Sequence, residues 1–190
     1  MNLFGKSQSL PDPYANPIDK KRMYLMIGLI GGILLAVIIA FVTLTSSSNK
    51  PDFMVLVARE SDLLRIAQKV KANVRSDDLN KANTEAILLI TSDNSALTSL
   101  LRTVYKANSI DGNILVKETD STAIINMQNA ALLNKFDTSW RTLVHSKLTD
   151  IVTIAQKIKA EEHNATVRKA VQTAITNAET IDKRMAALNL

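Results

Sequence analysis

The sequence predicts an all-α protein: one N-terminal transmembrane helix followed by an antiparallel bundle of about four long helices. Three observations predict it. Residues 23–44 form an unbroken apolar run with no charged side chain. Beyond Pro51 the chain has no further proline and a single glycine, Gly112. Across the same stretch apolar residues recur three and four apart, the period of a helix with one buried face.

Residues 1–22 form a short tail holding Pro11, Pro13 and Pro17, and such a stretch is extended and packs no core. Its charge is net positive and ends in Lys20, Lys21 and Arg22. The run 23–44 spans about 33 Å as a helix, enough to cross a hydrocarbon core of roughly 30 Å. A cleaved signal peptide is the competing reading, but its apolar region is usually about 7–15 residues long. Lys20, Lys21 and Arg22 abut the N-terminal end of the run, whereas Lys50 stands alone beyond the other. Basic flanks stay in the cytoplasm, so the expected topology is a cytoplasmic tail and an extracytoplasmic C-terminal domain in the cell membrane. Gly28, Gly32, Ala36 and Ala40 fall on one face of the span, where small residues let a second membrane helix approach. The expected partners here are the lipid bilayer and a second copy of the chain.

Residues 45–51 read as a polar linker, and Pro51 suits the first turn of a new helix. The domain 52–190 then divides into helices near 52–74, 77–108, 119–161 and 164–188. The third is expected to be continuous or to break near Asn134–Thr138, where Asp137 would cap a new start. Asp111-Gly112-Asn113 reads as the central turn, and 113–117 is the only short strand-like run. Ser76 followed by Asp77 and Asp78 reads as a helix start, the acids complementing the helix dipole.

The segment Ile66-Ala-Gln-Lys-Val-Lys-Ala72 recurs as Ile154-Ala-Gln-Lys-Ile-Lys-Ala160, 88 residues on. At that offset 12 of 40 positions are identical between 62–101 and 150–189. The domain therefore reads as a duplicated helical hairpin, copies about 53–108 and 138–190, making a four-helix bundle. Equivalent positions of such a repeat bury the same face, so Ile66 and Ile154 should both be buried and Lys69 and Lys157 both exposed.

The residues point away from chemistry. With no cysteine there are no disulfides, thiolate metal sites or cysteine nucleophiles. The domain's charge is close to balanced, and its aromatic residues are only Phe53, Tyr105, Phe136 and Trp140, which disfavours nucleic acid. His163 follows Glu161 and Glu162, but the spacings that put metal ligands on one helix face are absent, and these residues fall at a turn where they should be solvated. His145 is expected at the rim of the core. Asn164-Ala165-Thr166 fits a glycosylation acceptor, a weak pattern. Glu60 and Asp93 intrude on apolar seams, where polar residues fix helix register or line a ligand cavity. With no phosphate loop, acid/base pair or nucleophile setting, no enzyme, cofactor or metal is expected. The function expected is a membrane-anchored, non-catalytic interaction or scaffold module, an accessory subunit of an envelope or membrane complex holding a protein partner. The alternative is an extracytoplasmic ligand-sensing bundle that signals through a membrane partner.

Overall fold

The computed structural model describes residues 49–188. The basic tail, the apolar run 23–44 with Gly28, Gly32, Ala36 and Ala40, and most of the linker lie outside the described residues. Among the described residues no helix is long and apolar enough to cross a membrane.

Four long helices carry the fold: α1 (Lys50–Val70), α2 (Asp77–Thr103), α5 (Phe136–Glu161) and α6 (Ala165–Ala186). Two short ones, α3 (Gly112–Glu118) and α4 (Ala123–Leu132), lie between α2 and α5. α1 opens with Pro51 in its first turn, where a missing N–H is harmless, and closes into a 3₁₀ turn at Lys71–Asn73. Ser76 caps α2 by accepting from the Leu79 N–H, and Asn164 caps α6 by accepting from Thr166 and Val167. Both expected hairpins therefore start their second helix on a polar cap.

Ion pairs and hydrogen bonds set the packing order. Lys157 reaches Asp52 at 2.8 Å and Lys147 reaches Asp62 at 3.1 Å, so α5 runs antiparallel to α1. Asn177 bonds Asp93 at 2.9 Å and Arg184 pairs with Glu85 at 2.7 Å, so α6 runs antiparallel to α2. With the hairpins α1–α2 and α5–α6, this makes a square in which α2 and α5 sit on a diagonal and point the same way. A chain leaving α2 must therefore return along the bundle before α5 begins. Residues 104–135 do this by climbing beside α1: the Tyr105 ring lies 4.7 Å from that of Phe53, Glu118 meets Arg59, and Asn134 meets Arg75. The bundle thus has one long crossover connection.

The expected third helix 119–161 is corrected by this geometry. The chain turns at Thr119–Thr122, forms α4, and breaks again at Leu133–Lys135. Asn134 there adopts left-handed backbone (φ 57°), which asparagine tolerates better than most residues, and Lys135 N–H bonds the Ala130 carbonyl across the helix end. The expected break falls in the right place, but Asp137 does not cap α5. Its carboxylate instead accepts from the backbone N–H groups of Arg75 and Ser76, tying the α1–α2 turn to the start of α5. α2 ends at Thr103, short of 108, and Lys106 beyond it has φ 52°. The strand-like run 113–117 is helical, because Asp111 caps α3 through the Asn113 N–H.

Apolar side chains from all four long helices fill one core, with Trp140, Phe53 and Phe136 the largest fully buried. Positions 88 apart are buried in both hairpins: Leu63 and Ile151, Ala67 and Ala155, Val70 and Ile158, Leu79 and Val167, Ala86 and Ala174, Leu97 and Met185. Lys69 and Lys157 are both exposed. Ile66 is fully buried but Ile154 only half-buried, which corrects the expectation that both lie in the core. In α5 the seam is carried by Ile151, Ala155 and Ile158 instead.

Candidate functional site

Three polar side chains of the first hairpin enter the core. Glu60 is 3% exposed, Asn83 0% and Asp93 7%. At the offset of 88 the second hairpin has Leu148, Val171 and Ile181, all buried. At these three levels the polar side chains therefore belong to the first hairpin alone. Asp93 accepts two hydrogen bonds from the Asn177 amide, at 2.9 and 3.0 Å. Glu60 lies close enough for the charge of Asp93 to act on it, and its Oε2 has no hydrogen-bond partner among the described residues. Burial, and then Asp93, push the Glu60 carboxyl well above the usual range. Burial also raises Asp93, against which the Asn177 bonds act. Toward the opposite pole from the α2–α3 connection, the Asn83 amide and the Trp140 indole N–H are buried without partners among the described residues.

The crossover is held to α1 and α5 by charge. Asp62, on α1, is buried and accepts from Arg65 (2.7 Å), Lys147 (3.1 Å) and the backbone N–H of Asp120 (3.2 Å). Lys147 also pairs with Asp120 at 3.2 Å. Burial would raise the Asp120 carboxyl, but bonds from Lys147, Thr122 and Ala123 bring it below its ordinary value. Arg59 joins Glu118 at 2.7 Å and the Asp150 carbonyl at 3.0 Å. Against these contacts the crossover helices bury little: Ala123 and Met127 from α4 and nothing fully from α3. The outer side carries Leu115, Val116, Ile125, Leu132 and Leu133, all exposed and between 45% and 82% accessible.

The remaining sequence candidates fall apart as a site. His145 is exposed and lies 2.7 Å from Asp182, so it sits outside the core rim. His163 is exposed at the α5–α6 turn, as expected, but Glu162 is not solvated. Its Oε2 accepts the Tyr105 hydroxyl, and its Oε1 accepts the N–H groups of His163 and Asn164. Burial and this carboxylate together push the Tyr105 hydroxyl far above its ordinary range. Glu162 thus locks the turn to the end of α2. Among the described residues no group of three or more His, Cys, Asp or Glu side chains is placed to hold a metal. Grooves lie between α5 and α6, lined by Gln156, Arg168 and Gln172, and between α1 and α2, lined by Ser61, Gln68 and Asn94. Neither is lined by Glu60, Asn83 or Asp93. Lys20, Lys21 and Arg22 and the small residues of the span lie outside the described residues.

Sequence reasoning passed over the crossover. The available signal was the pairs Ile124-Ile125 and Leu132-Leu133, because neighbouring residues on a helix lie about 100° apart and cannot both face a narrow core contact. Comparison with family models, curated proteins and solved structures gives no match for this chain.

Proposed function

We propose that this protein is a membrane-anchored, non-catalytic helical interaction module, an accessory subunit of an envelope or membrane complex. The observation that carries the reading is the crossover. Five large aliphatic side chains face outward there, over a core that the four long helices already fill. Isolated exposed aliphatics need no explanation, but a group of them on one connection marks a contact surface. The anchor in this reading is the run 23–44, with Lys20, Lys21 and Arg22 holding the tail in the cytoplasm and Gly28, Gly32, Ala36 and Ala40 offering a face for self-association. The shared burial at an offset of 88, and the polar cap at the start of each second helix, support descent of the bundle from a duplicated hairpin.

The alternative, a ligand-sensing bundle, calls for a polar cavity between the helices, and the grooves described above do not reach the buried polar residues. Crosslinking in native membranes followed by mass spectrometry tests the reading. Recurrent crosslinks from the helical domain to one protein are expected. Crosslinks scattered among abundant neighbours, unchanged when the domain is deleted, would refute it.

A further inference from the structure

We propose that the outer side of the crossover docks a protein whose surface is apolar with acidic flanks; this rests on the reading of the chain as an interaction module. Between Gly112 and Phe136 the charged residues are Lys117, Glu118, Asp120 and Lys135. Both acids turn inward, Glu118 onto Arg59 at 2.7 Å and Asp120 onto Lys147 at 3.2 Å. Both lysines are exposed, Lys117 beside Val116 and Lys135 beyond Leu133. Lys106 and Asp111, the remaining charged residues of the crossover, are both exposed and offset each other in charge, so the outer side keeps an apolar surface and a net positive edge.

The helix geometry keeps that surface together. In α4, Ile125 and Leu132 are seven apart and share a face, while Ala123 and Met127 lie on the opposite face and are buried. Among the described residues no element covers Ile125 and Leu132, and turning them inward would release Ala123 and Met127. The edge charge then selects the partner. A second copy meeting this face in two-fold symmetry would bring its own Lys117 and Lys135 edge against a like edge, which is repulsive. An anionic lipid surface is usually engaged by roughly four to eight clustered basic residues, and two lysines fall short of that. An apolar protein surface flanked by Asp or Glu satisfies both features.

The test uses the full-length protein in the cells that make it, with a photo-crosslinking side chain placed at Ile125, at Leu132, or at Thr173 on α6, the helix diagonal to α1. Positions 125 and 132 are expected to yield an adduct with one protein, crosslinked through an apolar segment bearing acidic residues, and position 173 none. Lys117→Glu together with Lys135→Glu should lower that yield about fivefold or more without lowering the melting temperature. Adducts to lipid or to a second copy, equal yield at 173, or indifference to the charge reversal would each overturn the proposal. A protein adduct at 173 with none at 125 or 132 would overturn this surface and leave the interaction module standing. No protein adduct at any position would remove both.

Discussion

Replacing Glu60 by Leu places in α1 the residue found 88 positions later, Leu148, which is buried at the matching level of α5. Glu60 is 3% exposed, one carboxylate oxygen has no partner among the described residues, and Asp93 adds a like charge. Its folded-state pKa is therefore raised above the unfolded value near 4.5. The native state holds a proton that the unfolded chain releases, so stability from this group is complete below about pH 4.5 and falls as pH rises toward the folded pKa. Within that window the loss approaches about 1.4 kcal/mol per pH unit. Leucine removes both the linkage and the cost of burying the carboxyl, and apolar replacement of buried charged groups is worth about 1–4 kcal/mol. At pH 7.5 we expect Glu60→Leu to be more stable than wild type by about 2 kcal/mol, with the difference shrinking toward pH 4.5. The assay is urea unfolding of a fragment covering 46–190, the compact unit that holds the described residues, followed by circular dichroism at pH 4.5, 6 and 7.5. Glu60→Gln separates the two effects, because it abolishes titration yet keeps a buried polar group. Comparing each variant with wild type at the same pH cancels other titrations, such as that of Asp120, whose lowered pKa acts in the opposite sense. A Leu variant less stable than wild type at pH 7.5, or a gap that does not change with pH, would show that the carboxylate is solvated or paired and that the reasoning fails.

Three further outcomes are expected. Ile66→Ala should cost about 2–5 kcal/mol and the half-buried Ile154→Ala only about 1–2, while Lys69→Ala stays within about 0.5, all read from urea midpoints; equal losses at 66 and 154 would contradict the burial described. Asp62→Ala leaves Lys147 with Asp120 alone and frees the Asp120 N–H, so it should cost about 1–3 kcal/mol and speed amide exchange across 112–132; unchanged exchange there would show that the crossover is held by other means. Protease added to intact cells, or to spheroplasts where a wall or outer membrane intervenes, should digest residues beyond 50 and spare the tail; protection of the helical domain would reverse the topology.

What the sequence determined by itself is the helical character of the domain and the approximate positions of α1, α2 and α6. Local physics sets these: a chain with no proline after 51, a single glycine, and apolar residues at helical period leaves few alternatives. The cap at Ser76 was legible for the same reason, since it depends on a side chain acting on its own backbone. The partner of Asp137, the burial of Glu162 and the half-exposure of Ile154 were not. Each is decided by a neighbour distant in sequence: Ser76 for Asp137, Tyr105 for Glu162, and for Ile154 the placement of α5 between α1 and α6. The crossover was the least legible part. Helical period says that α3 and α4 have an apolar side, but only the antiparallel square decides that the chain must climb back along α1. That climb turns Glu118 and Asp120 inward and leaves Ile125 and Leu132 outside, because a helix lying on an already filled bundle can bury only one of its faces.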